Sequence, residues 1–233
     1  MTTSMTRATR TRRRRKIAAI ASAGLALGLA AVLSLAAWND NEWVFGGVGP
    51  DGDGEGVGTS EFEVQQNAWE TTPPSTSDTF ADFESNPGDA LIFDVDPTGL
   101  TPGTTIYAPV ALATTADSVS GSLTLITPPV AASGETPDDT SNLLWDNLTY
   151  SVRVTDDAAT AANCRTSFTT AGTEIISGAT FNETAAPGSQ SLSAARGNVQ
   201  YYCFAITLPD NDTTQTLQGR LVFPAWRFNA TSD

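Results

Sequence analysis

From residue 61 onward, short apolar runs alternate with polar ones and are separated by Pro, Gly, Asn and Asp. In residues 123–127 (LTLIT) and 150–154 (YSVRV) every second side chain is apolar, which is typical of a strand with one buried face. Residues 156–162 have room for one or two helical turns. The predicted strands are residues 62–65, 91–95, 105–113, 119–127, 148–155, 165–169, 173–177, 199–208 and 219–228.

These strands predict an all-β fold. Many short strands separated by turn residues are characteristic of an antiparallel β-sandwich with jelly-roll-like or Greek-key connections. We place this domain at residues 61–229 and expect residues 230–233 to be a tail.

The first 36 residues follow another pattern. Seven basic residues precede residue 17, an uncharged apolar stretch occupies residues 17–35, and Ser34 and Ala36 provide small side chains at its end. This layout predicts a signal peptide, residues 1–36, cut by signal peptidase between Ala36 and Ala37. Because about 20 apolar residues can span a bilayer, retention as a membrane anchor is the alternative.

Residues 37–60 are predicted to be an N-terminal segment of the mature chain and a flexible linker. Trp38, Trp43, Val44 and Phe45 flank a polar middle, and residues 46–58 are mostly Gly with scattered acids. Such a Gly-rich stretch cannot bury enough apolar surface to order itself. The aromatic segment is therefore expected to be tethered to the sandwich.

Three acids in the linker, Asp51, Asp53 and Glu55, alternate as in half of a calcium loop. The twelfth position of such a loop, where a bidentate Glu is expected, is occupied by Phe62. A solvated linker is therefore favoured, and calcium binding is the weaker alternative. We predict no cofactor.

The distribution of charge excludes several functions. All 26 acidic residues follow residue 37, and only five of the 12 basic residues follow residue 16, so the chain after residue 36 has a formal net charge of −21. Nucleic acid would be repelled. The chain has no His, which excludes His-ligated metals and Ser-His-Asp or Cys-His catalysis. We therefore expect a protein that is not an enzyme.

Both cysteines, Cys164 and Cys203, lie in the part predicted to be exported, where thiols can oxidise. A disulfide between them would contribute about 3 to 4 kcal/mol on the loop-entropy model. Two reduced buried thiols, or a metal pair without its other ligands, are the alternatives. The expected location is secreted or on the cell surface.

Residues 35–42 (LAAWNDNE) resemble the signal-exit motif of proteins released by the SipW-type signal peptidase, a family that includes the biofilm fibre protein TasA and the camelysins. Residues 100–103 (LTPG) and 219–228 are similar to its Leu-x-Pro-Gly turn and closing strand. The resemblance implies an exported jelly-roll protein of the bacterial envelope or biofilm matrix. Camelysins have been described as metalloproteases, but a chain without His lacks the usual zinc ligands, so that activity is not transferred here.

In the fibre-forming relatives, the segment after the cleavage site inserts as a strand into the next subunit. Here Trp38, Trp43, Val44 and Phe45 are the candidates for such donation. Residues 38–42 could instead serve only peptidase recognition, with residues 43–45 packed on their own domain. The resulting hypothesis is a self-associating structural protein, and the alternative is a monomeric extracellular module that binds a glycan or a surface protein. The expected partners are signal peptidase and copies of itself or other surface proteins, with membrane contact only through an uncleaved signal.

Overall fold

Eight strands dominate residues 59–233, the part of the chain that the computed structural model describes. Two short helices, α1 (Leu143–Asn147) and α2 (Ala158–Ala161), and several 3₁₀ turns lie between them. The strands are β1 (Val64–Ala68), β2 (Thr105–Thr114), β3 (Gly121–Ala131), β4 (Thr149–Thr155), β5 (Thr173–Thr180), β6 (Ser189–Leu192), β7 (Gln200–Thr207) and β8 (Pro224–Ser232).

The strands form two antiparallel sheets. The larger has the order β1-β2-β7-β4-β5 and the smaller has the order β6-β3-β8. Along the chain, every connection crosses between the sheets except β1 to β2 and β4 to β5. The predicted all-β antiparallel sandwich is therefore confirmed, with crossing connections of the jelly-roll-like kind.

The main core lies between the sheets, where the alternating strands direct their apolar side chains. Aromatic rings contact each other across the two sheets: Tyr202 lies 4.7 Å from Phe228, and Phe204 lies 4.9 Å from Trp226, centroid to centroid. Tyr202 and Phe204 are almost completely buried. This packing explains the alternation in β4 and β8, since only one face of each of these strands meets the opposite sheet.

The outer face of the larger sheet is covered as well, which is why nearly every residue of β2 and β7 is buried. Loop segments lie on this face, and a second apolar cluster joins Trp69 and Phe80 to the strands. The Arg165 guanidinium fixes one of these loops by donating to the carbonyls of Trp69 (2.8 Å) and Ile92 (2.6 Å). The fold thus resembles a sandwich with an additional cover of loops.

The predicted disulfide between Cys164 and Cys203 is confirmed. Their Cα atoms lie 5.5 Å apart, and both side chains are buried beside Ala171. The bond joins the segment after α2 to the middle of β7, a central strand of the larger sheet. It therefore ties a surface loop to the centre of the sandwich.

Two predicted strands were wrong. Residues 91–95 are irregular. Leu91 and Phe93 pack against the core, which explains the apolar pattern. Instead of a ladder of backbone bonds to a neighbouring strand, Asp94 N–H makes a single backbone hydrogen bond to the Tyr107 carbonyl, at 2.9 Å. Residues 165–169 form turns and part of a 3₁₀ helix, because the chain is still leaving α2, as in the bond from Ser167 N–H to the Asn163 carbonyl (2.8 Å).

Two further differences concern β6 and the bounds of β8. Strand β6 was not predicted, because its sequence, SQSL, offers a single large apolar side chain. Strand β8 begins five residues later than expected and continues to Ser232. Residues 230–232 therefore belong to the smaller sheet and not to a tail. The short helix expected within residues 156–162 is confirmed as α2, which Asp157 caps by accepting from Thr160 N–H (2.8 Å).

Candidate functional site

The sandwich has four edge strands, β1, β5, β6 and β8, and three of them are protected. Strand β1 is covered because Gln66 and Ala81 exchange both backbone hydrogen bonds, each 2.9 Å. Strand β6 has only four residues, and the Ser191 carbonyl accepts side-chain bonds from Asn198 and Gln200. The pairing of β5 with β4 is interrupted by two register shifts, and such irregularities bend an edge away from new partners.

Strand β8 differs from the other three edges. It is nine residues long and pairs with β3 on one side, and no strand of residues 59–233 pairs with its other side. The register is unbroken from the pair Gly121–Ser232 to the pair Ile126–Arg227. The register shifts only near the start of β8, between Ile126 and Val130 of β3. An edge that is regular over most of its length and has no partner strand is a template for a further strand.

The backbone groups that β8 presents at this edge can be assigned. Asp233 N–H donates to the Ser120 carbonyl at 3.2 Å, toward β3. Because N–H directions alternate along an antiparallel strand, Trp226, Phe228 and Ala230 direct their backbone N–H and C=O groups toward the open edge. The side chains of these three residues point into the sandwich and are only partly buried. An added strand would both bond to them and cover them.

Two buried polar atoms, one on β8 and one on the facing strand β4, have no hydrogen-bond partner among the described residues. They are Tyr150 Oη and Trp226 Nε1, and their rings are 5.9 Å apart. Burial, together with the negative charge of Glu183, raises the pKa of Tyr150 to about 12, so its hydroxyl remains protonated at neutral pH. A buried polar group without a partner costs about 1 to 3 kcal/mol. An incoming polar side chain that reached these atoms would remove that cost.

The edge also carries an unusual charge. Residues 59–233 contain five arginines, of which Arg227 alone has no ion-pair or hydrogen-bond partner within that range; it lies exposed on the outer face of β8. The other four bind carboxylates or backbone and side-chain oxygens: Arg153, Arg165, Arg196 and Arg220. In a strongly acidic protein, Arg227 marks the β8 edge as suited to an acidic strand.

A pocket of about 240 Å³ lies beside the segment that leads into β8. Its walls come from α1, from the chain after β3 and from the turn after β5. The lining residues include Pro137, Trp145, Val222 and Phe223 among the apolar ones and Glu135, Asp139, Asn142 and Asn182 among the polar ones.

Asp139 organises the base of this pocket. Its side chain is only 2% exposed; one carboxylate oxygen accepts from Arg220 Nη1 and Leu144 N–H, and the other accepts from Trp145 N–H, each at 2.9 Å. Burial by itself would raise the pKa of this carboxyl, but the two backbone N–H groups and the Arg220 guanidinium lower it overall. Asp139 thus fixes α1, and Trp145 with it, against the segment that leads into β8.

Replacing Asp139 with Asn is expected to lower the free energy of unfolding at pH 7 by about 2 to 3 kcal/mol, because Arg220 loses its partner and two buried bonds weaken. The folded state lowers the pKa of Asp139, so the carboxylate stabilises the protein above the unfolded pKa, about 3.9. That stabilisation is lost as the pH falls through the lowered pKa. Urea unfolding at pH 7 and at pH 3 measures both effects.

The control for this prediction is Asp138→Asn, since Asp138 is the exposed neighbour and only its backbone is bonded, to Leu221. It should change the unfolding free energy by less than about 0.5 kcal/mol. Equal losses in the two variants, or a deficit in Asp139→Asn that does not shrink toward pH 3, would contradict the role assigned to Asp139.

The remaining predicted site residues lie outside the described residues: Ala36, Ala37, Trp38, Trp43, Val44, Phe45, Asp51, Asp53 and Glu55. Within residues 59–233, no three His, Cys, Asp or Glu side chains converge as a metal site. No helix in that range is long and apolar enough to cross a membrane. The structure of residues 59–233 adds two candidate features to the sequence predictions, the β8 edge and the pocket.

Within residues 59–233, fold and site together define an antiparallel β-sandwich with one disulfide and one open strand edge. The chain matches no family model and no curated protein.

Proposed function

We propose that this protein is an exported structural protein of the bacterial envelope or biofilm matrix, in which residues 37–45 of one copy add as a strand to the β8 edge of the next. The observation that carries the proposal is the edge of β8, which is regular from Arg227 to Ser232 and has no partner strand within residues 59–233. The signal-like leader and the resemblance of residues 35–42 to the SipW-type exit motif support export. A disulfide is also in keeping with an oxidising compartment. The role is structural and not enzymatic.

The donor segment has the reach to act between copies. Thirteen residues, 46–58, separate it from the described domain. A Gly-rich chain of that length has a root-mean-square span of about 20 Å and extends further when stretched. The segment can therefore leave its own domain and meet the edge of a neighbour.

The inward face of the donor strand fits the β8 edge. In an extended strand, alternate side chains share a face, so Asn39 and Asn41 lie on the same side as Trp43 and Phe45. The two aromatic rings would cover the partly exposed Trp226 and its neighbours on β8. An Asn amide on that face has both a donor and an acceptor, as the unpartnered hydroxyl of Tyr150 and indole N–H of Trp226 require.

The outward face of the donor strand fits as well. It carries Trp38 and Val44 and, between them, Asp40 and Glu42, whose carboxylates would lie on the same side of the smaller sheet as Arg227. Opposite charges on adjacent strands contribute about 0.2 to 1 kcal/mol per pair. Because the mature copies are strongly acidic and repel each other, this pairing favours the β8 edge over other surfaces.

Deleting residues 37–45 from the mature protein tests this function. Sedimentation velocity should show polymers for the intact protein and monomers for the truncated one, because the truncated protein has an acceptor edge but no donor. A synthetic peptide of residues 37–45 should then bind the truncated protein at one peptide per chain. The matched control is Val48→Ser, which changes an apolar residue of the linker and should assemble normally.

Two results would overturn strand donation: intact protein that stays monomeric over the whole concentration range, or polymers of the same size with and without residues 37–45.

A further inference from the structure

The pocket beside β8 has the size of a site for one small ring. At about 240 Å³ it is smaller than the roughly 300 to 1,000 Å³ typical of pockets for drug-sized molecules. It is also separate from the backbone groups that a donated strand would use, since Val222 and Phe223, which line it, precede β8. A ligand in this pocket would therefore not compete with a strand added to β8.

Two aromatic rings and nearby side chains give the pocket an apolar wall that is held in place. Trp145 packs edge-on against the buried Phe181, with ring centroids 5.1 Å apart. Its indole N–H donates to Asn182 Oδ1 at 3.2 Å, and Asn182 Nδ2 donates to Asp146 at 2.8 Å. The orientation of both Trp145 and the Asn182 amide is thus fixed before any ligand arrives, which lowers the entropic cost of binding.

Hydrogen-bonding groups lie around this apolar wall. The side chains of Glu135 and Asn142 have no hydrogen-bond partner among the described residues, and each Asn182 amide atom has capacity for one more bond. Asn142 is held at φ 55° and the preceding Ser141 at φ 65°. Left-handed conformations are uncommon for residues other than Gly, although Asn adopts them more readily than most, and residues held in them often lie at binding sites.

The charges of the pocket disfavour ions. The Asp139 carboxylate is already matched by Arg220 at 2.9 Å, and Glu135 adds a negative charge that repels anions. A cation would gain only Glu135, an exposed carboxylate screened by solvent. The lining therefore suits a neutral ligand that offers both C–H surface and hydroxyl groups.

From this combination we infer that the pocket binds a single pyranose ring of a neutral polysaccharide. Trp145 and Phe223 would contact the C–H face of the sugar, while Glu135, Asn142 and Asn182 bond its hydroxyls. A subunit carrying such a site would attach an assembled fibre to matrix or cell-wall glycans. The site does not depend on strand donation, and either proposal can fail while the other stands.

The test uses the mature protein and isothermal titration calorimetry, with cellohexaose, mannohexaose and chitohexaose as neutral probes and choline and glucuronate as charged ones. At least one neutral oligosaccharide should bind with a dissociation constant in the millimolar to high micromolar range. Asn142→Gly removes the amide but tolerates the positive φ, and Glu135→Gln removes the charge. Each should weaken binding about 5- to 10-fold.

Thr136→Ala, at an exposed position outside the pocket, is the matched control and should bind like the parent. Trp145→Ala should abolish binding, and its unfolding curve shows whether the fold survives. The inference is overturned if no neutral oligosaccharide binds, if choline or glucuronate binds more tightly than any of them, or if Asn142→Gly and Glu135→Gln both bind unchanged.

Discussion

Removal of the disulfide by the double substitution Cys164→Ala and Cys203→Ala is expected to lower the free energy of unfolding by about 4 kcal/mol. The two cysteines are 39 residues apart, and the loop-entropy model gives about 4 kcal/mol for closing a loop of that length. The closed loop includes β5 and β6 and ends on the central strand β7. Urea unfolding of the oxidised parent and of the double variant measures the difference.

Reduction provides the control for this prediction. Dithiothreitol should lower the free energy of unfolding of the parent by about the same amount as the double substitution does. It should leave the unfolding free energy of the double variant unchanged. Ala is chosen because both sites are buried beside Ala171 and Phe168, where Ser would leave an unsatisfied hydroxyl. A difference below about 1 kcal/mol, or a variant that responds to dithiothreitol, would show that the cross-link is not a major source of stability.

Blocking the β8 edge with Ala230→Pro is expected to abolish polymer formation while leaving the sandwich folded. The backbone N–H of Ala230 is directed toward the open edge and away from β3, so Pro removes a donor that only an added strand would use. The ring also fills the space that the incoming backbone must occupy. Sedimentation velocity measures polymer size, and thermal unfolding of the monomer confirms the fold.

Two neighbouring variants serve as controls. Ala230→Ser keeps the N–H and should still form polymers. Asn229→Pro removes an N–H that is directed toward β3, so it should destabilise the sandwich itself. If Ala230→Pro assembles like the parent, β8 is not the acceptor edge. The deletion of residues 37–45 would then decide whether donation occurs at another edge.

The central strands could be predicted from the sequence because their pattern is set by burial. In β4, Tyr150, Val152 and Val154 alternate with polar residues since one face meets the opposite sheet. Residues 91–95 have a similar apolar content, but the prediction of a strand there was wrong. Leu91 and Phe93 pack against the core, but Ile92 and Val95 are exposed and no neighbouring strand of residues 59–233 offers a ladder. Apolar content alone cannot distinguish these two cases.

The acceptor edge could not be predicted from the sequence. The aromatic content of residues 37–45 made them candidates for strand donation, and that stays a prediction, whereas nothing local in residues 226–231 (WRFNAT) distinguishes an edge strand from an interior one. Arg227 looks like any surface arginine in the sequence. Its importance follows from the fact that the other four arginines find partners from distant parts of the chain.

The sequence by itself determined the class of fold, the pairing of its only two cysteines and the exclusion of histidine chemistry, because these depend on composition and on the period of apolar residues. Only the tertiary structure decided which strand is left without a neighbour and which side chains surround the pocket. Both depend on contacts between residues far apart in the chain: β8 is an edge because β3 takes one side and nothing in residues 59–233 takes the other. The contact between Asp139 and Arg220, which are 81 residues apart, is likewise made by the tertiary fold. A local pattern encodes which face of a strand is buried, but not which residues lie beside the strand.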